Sequence, residues 1–188
     1  MIGLFFGSFN PVHKGHISVA RAALEATALA EIWFVVSPQN PFKSEKELAP
    51  ASHRVEMVRG ALSGESRMRV SDVELSLPTP SFTCNTLDHL KTRHPNVEFV
   101  LLLGWDTYQN MRQWHRAEEV MKYKKIIYPR GNDQWKGVEK IIEGLLLDQP
   151  TLAVSATEVR RKILAGEGCE DDLELSTREY ILKNGLYQ

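Results

Sequence analysis

The stretch LFFGSFNPVHKGHISVA, residues 4–20, passes from an apolar, strand-like segment through a turn into a segment of helical period. Gly7 and Gly15 allow the backbone to approach a ligand closely, and Pro11 favours the turn. A helix that begins after such a turn presents unpaired amide groups and the positive end of its dipole, which suit an anion such as phosphate. This stretch therefore predicts the first strand–helix unit of an α/β fold, with an anion site at the turn.

The rest of the chain continues this alternation. Most of the apolar runs are near-continuous, as expected of strands buried on both faces of a parallel sheet. Strands are predicted at 2–6, 32–37, 68–75, 97–103, 125–128 and 151–154, and helices near 17–28, 55–62, 86–90 and 138–147. This order predicts an α/β, doubly wound, mostly parallel sheet flanked by helices, with ligands beyond the carboxyl ends of the strands.

Two further helix starts are predicted in the C-terminal part. Ser155 with Glu158, and Ser176 with Glu179, match the capping-box pattern, in which two side chains satisfy free backbone amides reciprocally. Gly185 is placed to end the last helix. The Pro-rich, charged segment before the second predicted helix, residues 37–52, indicates a long mobile loop.

Composition and charge exclude several classes of protein. The 188 residues carry a formal net charge of -1, which gives no electrostatic indication of nucleic-acid binding. The longest apolar runs are far shorter than the ~20 residues that cross a bilayer, and the N-terminus lacks the basic region of a secretory signal. Cys84 and Cys169 are far apart in the sequence, which fits a reducing compartment. We expect one cytoplasmic domain, residues 1–188, with 155–188 as its small C-terminal helical part, and neither nucleic-acid nor membrane partners.

Two histidines stand at the predicted start of the first helix. His13 and His16 are three residues apart, so both imidazoles can face the same side of the first turn. An imidazole can donate a hydrogen bond to a phosphoryl oxygen without a fixed charge. From these residues alone, a generic nucleotide-binding glycine loop, a metal-binding pair and two incidental histidines stay open. However, G-x-G-x-x-G and G-x-x-x-x-G-K-[ST] are absent, and no H-E-x-x-H motif or companion cysteine supports a metal.

The segment GSFNPVHKGH, residues 7–16, strongly resembles the motif G-[ST]-F-[DN]-P-x-H-x-G-H of the nucleotidyltransferase superfamily. The resemblance implies a Rossmann-like sheet and an enzyme that joins a nucleoside triphosphate to a phosphorylated acceptor, releasing pyrophosphate. His13 and His16 are then the catalytic residues, which stabilise the reacting α-phosphoryl group. The ATP site implied in this loop consists of Gly7, Ser8, Phe9, Asn10 and Gly15.

A second segment, VSATEVRRKI, residues 154–163, resembles the motif I-S-[ST]-[ST]-x-[IL]-R of the same superfamily. Ser155, Thr157 and the helix amides could hold phosphate oxygens of ATP, and Arg160 could make a bidentate contact to them. Ala156 replaces a hydroxyl residue that is often found there. Taken alone, these residues favour an ordinary capped helix with a basic surface, whereas together with the first loop they favour a phosphate site.

The middle of the chain resembles one family more closely. PSFTCNTL, residues 80–87, is similar to P-S-[YF]-T-x-x-T-L of bacterial nicotinate-nucleotide adenylyltransferases, where this stretch and a following aromatic residue hold the pyridine ring and its carboxylate. Ser81 and Thr83, with the amides of a helix start, suit a small carboxylate. Trp114 can stack on a pyridinium ring. Lys43 stands near the family's P-P-H-K segment and could reach phosphate; the alternative is a solvated loop lysine.

LLLGWD, residues 101–106, ends a predicted strand and resembles the family's G-x-D. Gly104 and Asp106 would join the ATP site, where Asp106 could accept from a ribose hydroxyl or organise a metal-bound water. We expect Mg²⁺ to be carried by ATP, with no dedicated protein ligands. The resemblance implies adenylyl transfer from ATP to nicotinate mononucleotide, giving deamido-NAD. The alternatives are an enzyme for nicotinamide mononucleotide or another small phosphorylated acceptor, and an inactive nucleotide-binding regulator.

Overall fold

The computed structural model describes residues 1–39, 48–129, 144–147 and 154–188. Its strands are β1 (Ile2–Gly7), β2 (Glu31–Val36), β3 (Met68–Ser71), β4 (Phe99–Gly104), β5 (Lys124–Tyr128) and β6 (Gly144–Leu146). Its helices are α1 (Lys14–Ala26), α2 (Ala51–Ala61), α3 (Thr83–Arg93), α4 (Trp105–Gln109), α5 (Ala117–Val120), α6 (Ala156–Leu164) and α7 (Leu175–Asn184). Short 3-10 helices lie at Val73–Ser76 and Met111–Gln113.

The strands form one sheet in the order β3-β2-β1-β4-β5-β6, and every neighbouring pair is parallel. This is the strand order of the doubly wound Rossmann fold, so the predicted fold class is confirmed. The chain reverses its direction of travel across the sheet between β1 and β4. A ligand crevice is therefore expected where these two strands end.

Both faces of the sheet are covered by apolar layers. On β1, Phe5 belongs to the layer that includes residues of α1, α2, α6 and α7, whereas its neighbour Leu4 belongs to the layer built with α3 and α5. On β4, Leu102 and Leu101 divide in the same way. Because consecutive side chains of a strand point to opposite faces, strands buried on both sides read as the continuous apolar runs noted in the sequence. Full burial of each such side chain contributes roughly 1.5–3 kcal/mol.

Two of the predicted helix boundaries are confirmed. The Ser155 hydroxyl accepts a hydrogen bond from the Glu158 amide at 3.1 Å, so it caps α6 as predicted. Gly185 ends α7 in the left-handed conformation, with φ at 58°, where glycine is favoured over residues with a side chain.

Three predictions of local structure are wrong. Residues 144–146 do not continue a helix but form β6, because their backbone groups pair with the buried strand β5. The strand predicted to 75 ends at Ser71 and turns into the first 3-10 helix, which buries Glu74. Helix α7 begins one residue before Ser176, which does not cap it. Ser176 instead packs against α2, where a Cβ added at Gly60 would lie 3.4 Å from the serine Cβ.

Other predicted elements lie largely outside the described residues: most of the segment 37–52, residues 138–143 of the predicted helix, and residues 151–153 of the last predicted strand. None of the helices within the described ranges combines the length and hydrophobicity that crossing a bilayer requires.

Candidate active site

The turn between β1 and α1 brings the two histidines together. His13 caps α1, and its backbone N–H donates to Nδ1 of His16 at 3.2 Å. The two imidazoles stack with ring centroids 3.6 Å apart, so they share one side of the turn as predicted. Because Nδ1 of His16 accepts a hydrogen bond, the neutral ring carries its proton on Nε2. That N–H is the group that can donate to a ligand.

The side chain of Phe9 packs against the imidazole of His16. Its backbone is left-handed, with φ at 45°, and its ring is 2% exposed. The ring lies 5.1 Å from the imidazole of His16, 5.7 Å from Phe5 and 5.4 Å from Phe34 (centroid to centroid). A Cβ added at Gly7 would lie 2.8 Å from this ring, so the turn requires glycine there. Phe9 can therefore contribute only its main chain to a ligand.

Arg160, on α6, reaches the same turn from the far end of the chain. Its Nη1 donates to the main-chain oxygen of Asn10 at 2.8 Å, and its side chain is half-buried. Ser155 and Thr157, at the start of α6, are exposed, and the Ser155 hydroxyl is the N-cap of the helix. Ser155 is thus the cap of this helix, and the roles of Ser155 and Thr157 in binding ATP stay predictions.

Asn10 is held from several directions. Its Oδ1 accepts from the Tyr187 hydroxyl at 2.7 Å and from the Ala49 amide at 3.0 Å. Burial raises the pKa of Tyr187, so its hydroxyl stays a neutral donor at ordinary pH. The side-chain oxygen of Asn10 is therefore committed to the protein, and Tyr187 becomes part of the site's support.

The end of β4 lies beside the end of β1. Phe5 of β1 is opposite Leu102 of β4, and two residues further on both strands end in glycine, at Gly7 and Gly104. Gly104 is buried, whereas Asp106 is exposed in the first turn of α4. These residues lie at the carboxyl edge, where the strand order predicts the crevice.

The segment at residues 80–87 and the segment Trp114–Arg116 are also neighbours. Helix α3 begins at Thr83, and the ring of Phe82, its N-cap, lies 4.7 Å from the ring of His115. Trp114, half-buried, packs against the same apolar layer as Phe82. Arg116, two residues after Trp114, donates to the Asp88 carboxylate of α3 at 2.7 Å and so ties Trp114–Arg116 to that helix.

A buried carboxyl group contacts the segment at residues 80–87. Glu74 is 2% exposed, and its Oε1 accepts from the Thr86 hydroxyl on α3 at 2.7 Å. Burial raises the pKa of Glu74, and the hydrogen bond from the Thr86 hydroxyl opposes this. Ser81 itself is half-buried and donates its amide to the Gln39 carbonyl at 3.4 Å.

Comparison with known proteins gives the family. A model described as cytidylyltransferase-like matches residues 4–162, from β1 into α6. A probable nicotinate-nucleotide adenylyltransferase of Cytophaga hutchinsonii is 36% identical over 187 residues, which cover 99% of this chain and 97% of that protein. A second, of Flavobacterium johnsoniae, is 36% identical over 190 residues, covering 100% of this chain and 98% of that protein. The chain belongs to the nicotinate-nucleotide adenylyltransferase family.

Solved structures of nicotinic acid mononucleotide adenylyltransferases have the same fold. The Plasmodium falciparum protein complexed with NaAD superposes with a TM-score of 0.84 at 25% identity, covering 99% of this chain and 96% of that chain. A structure of that protein complexed with APC gives a TM-score of 0.82 at 24% identity. The family resemblance of the sequence motifs is thereby confirmed over nearly the full chain.

Two residues that support the site were not predicted from the sequence. Tyr187 is half-buried and Glu74 is buried, and both are hydrogen-bonded to segments of the site. None of the motifs at residues 7–16, 80–87, 101–106 and 154–163 includes either residue. Lys43 lies outside the described residues.

Proposed function

We propose that this chain catalyses transfer of the adenylyl group of ATP to nicotinate mononucleotide, giving deamido-NAD and pyrophosphate in NAD biosynthesis. The observation that carries the proposal is the meeting of the two stacked histidines and Arg160 at the turn after β1. Close relatives with the corresponding name match the chain almost from end to end, which supports the choice of acceptor.

The reaction is an in-line displacement at the α-phosphorus of ATP. An oxygen of the acceptor phosphate forms the new bond, the bond to the α–β bridging oxygen breaks, and pyrophosphate leaves. No side-chain nucleophile is needed, so catalysis rests on positioning and on stabilising the charge of the transition state. His13 and His16 act here as hydrogen-bond donors to the α-phosphoryl oxygens. A preorganised donor of this kind lowers the barrier by about 3 kcal/mol.

The triphosphate is proposed to lie between the starts of two helices. The amides at the starts of α1 and α6 supply partial positive charge, and Arg160 supplies a full one. Gly7, Ser8, Phe9, Asn10 and Gly15 form the loop side, with Phe9 and Asn10 contributing main-chain groups. Gly104 and Asp106 face the nucleoside end, where the Asp106 carboxylate can accept from a ribose hydroxyl.

Magnesium is proposed to enter the site bound to ATP, as part of the nucleotide substrate. The described part of the chain holds no cluster of three or more His, Cys, Asp or Glu side chains arranged for a metal ion. Mg²⁺ that arrives with ATP keeps most of its ligands from phosphate and water, as is usual for this ion. It neutralises charge on the polyphosphate, while the residues of this chain bind and orient the substrate.

The acceptor is proposed to bind across the starts of α3 and the Trp114 segment. Ser81, Thr83 and the free amides of α3 provide donors for a carboxylate, and the indole of Trp114 provides a stacking surface for the pyridinium ring. The contact between Phe82 and His115 fixes the position of the start of α3 relative to the Trp114 segment.

Initial rates of pyrophosphate release with nicotinate mononucleotide and with nicotinamide mononucleotide, at matched concentrations, test the proposal. We expect the acid to be strongly preferred. A strong preference for the amide would contradict the assigned acceptor, and ATP binding without turnover of either acceptor would favour the regulator instead.

A further inference from the structure

Arg54, in the first turn of α2, is 1% exposed. Its guanidinium donates to four main-chain oxygens. Nε donates to Ala49 at 2.8 Å, Nη1 donates to Ser8 at 2.6 Å and to Ser37 at 2.7 Å, and Nη2 donates to Pro38 at 2.9 Å. The planar guanidinium suits this arrangement, because its donors point outward in a fixed fork.

The four carbonyl groups belong to three separate segments. Ser8 lies in the turn between β1 and α1, Ser37 and Pro38 follow β2, and Ala49 precedes α2. The same segments are joined by other bonds, since the Ser37 amide donates to the Gly7 carbonyl at 2.9 Å and the Ala49 amide donates to Asn10. One side chain therefore holds together the backbone on which the histidine turn rests.

Arg54 also carries a positive charge in the interior of the protein. Burial lowers the pKa of the guanidinium, which nevertheless stays charged because arginine is a very strong base. Within the described ranges its hydrogen bonds all go to neutral carbonyl groups, and it forms no ion pair with a carboxylate. A buried positive charge whose partners among the described residues are all neutral favours an anion bound nearby.

We propose that Arg54 is a positioning residue of the ATP site, which fixes the turn carrying His13 and His16 through the Ser8 carbonyl and attracts the polyphosphate through its charge. The inference rests on the proposed function of that turn. Arg54 acts through the backbone and is not assigned any contact with the substrate.

The two parts of the proposal are separated by two substitutions. Arg54→Lys keeps the charge but cannot reach four carbonyls in a plane, so it should lower kcat by about tenfold while changing the affinity for ATP less. Arg54→Met removes the positive charge and the four hydrogen bonds. It should therefore lower kcat and also weaken binding of a non-hydrolysable ATP analogue by about tenfold. Arg59, exposed on the same helix, provides the matched controls Arg59→Lys and Arg59→Met, which should change neither quantity.

Steady-state kinetics and calorimetric titration with the analogue measure these effects at a temperature where far-UV circular dichroism shows each variant folded. If Arg54→Met unfolds, Arg54→Gln, which also removes the charge but keeps a hydrogen-bond donor, takes its place in the binding test. Variants that lose thermal stability but keep wild-type kcat and analogue affinity when folded would show that Arg54 is merely structural and overturn the proposal. If the wild type forms no deamido-NAD, the proposed function fails, whereas analogue binding still decides the role of Arg54.

Discussion

Arg160 and Asn10 are 150 positions apart in the sequence, yet the guanidinium of one donates to the main-chain oxygen of the other at 2.8 Å. The bond joins α6 to the turn that carries both histidines. It places a positive charge from the C-terminal part of the chain beside the first loop, where the polyphosphate of ATP is proposed to bind.

Replacing Arg160 with alanine tests that placement. The variant loses a charge-assisted bond to the turn and a proposed contact to phosphate, so kcat/KM for ATP should fall by about 10- to 100-fold. Steady-state kinetics at saturating acceptor measure this change in kcat/KM. Arg161→Ala is the matched control, because Arg161 is exposed and paired with Glu158 and Glu167 on the surface. Equal losses in the two variants would contradict a specific role for Arg160.

His16→Ala tests the proposed stabilisation of the transition state. The substitution removes a donor that acts on the reacting phosphoryl group, so kcat should fall about 10²- to 10³-fold while the affinity for ATP changes little. Single-turnover rates and nucleotide titration separate the two quantities. His89→Ala, on α3, is the control and should be close to wild type. If His16→Ala retained wild-type turnover, the proposed catalytic role would be excluded.

Gly7→Ala tests the support of the histidine pair. The new methyl group would lie 2.8 Å from the ring of Phe9, and displacing this ring disturbs its contact with His16. We expect a loss of about 1–3 kcal/mol in the free energy of unfolding, together with a lower kcat. Gly64→Ala, where a Cβ would have no neighbour within 4 Å, should change stability by less than about 0.5 kcal/mol. Urea denaturation and initial rates give both measurements.

Tyr187→Phe tests the bond between the C-terminal segment and Asn10. Only the hydroxyl is removed, while Asn10 keeps its bond from the Ala49 amide. A lost neutral hydrogen bond costs about 1 kcal/mol, which corresponds to roughly 2–4 °C in the melting temperature of a domain of this size. Differential scanning calorimetry detects such a shift. Tyr123→Phe is the control, and an unchanged melting temperature for Tyr187→Phe would mean that the bond does not stabilise the fold.

Glu74→Gln tests the buried carboxyl group through the pH dependence of stability. Burial raises the pKa of Glu74 above 4.5 in the folded state, so the folded protein binds the proton more tightly than the unfolded chain. The associated stability is fully present below pH 4.5 and is lost as the pH rises through the folded-state pKa. The amide cannot ionise, so Glu74→Gln should gain stability relative to wild type between pH 4.5 and neutral pH.

Urea denaturation of wild type and Glu74→Gln across that range measures the difference, in which contributions from other groups largely cancel. Thr92→Val serves as a control for a polar substitution on the exposed part of α3, the helix that contacts Glu74 through Thr86. A constant difference between wild type and Glu74→Gln at all pH values would show that Glu74 does not titrate differently in the folded state.

The sequence predicted the central strands and the turn with the histidines because their determinants are local. Continuous apolar runs identified β1 and β4, and the GSFNPVHKGH motif identified the turn within ten residues of sequence. The three-residue spacing of His13 and His16 also predicted that their imidazoles lie on one side of α1, and the stacking of the two rings confirms it. The positions that bind ATP and acceptor stay predictions.

What the sequence could not predict depends on partners distant in the chain. Residues 144–146 are a strand because β5 lies alongside them, and Ser176 does not cap α7 because it packs against Gly60. Nothing in the local sequence distinguishes Arg54 from a surface arginine of α2. Its role follows only from the meeting of Ser8, Pro38 and neighbouring carbonyls around one buried side chain.

The ring of Phe9 touches both the imidazole of His16 and the aromatic side chains of Phe5 and Phe34 on β1 and β2. A motion that releases this imidazole must therefore also open the interior between the first two strands. Regions of a protein that open only together with the central strands exchange their amide protons most slowly. We therefore expect the first turn of α1 to open in the same cooperative unit as β1 and β2, so that inactivation by heat coincides with global unfolding rather than preceding it.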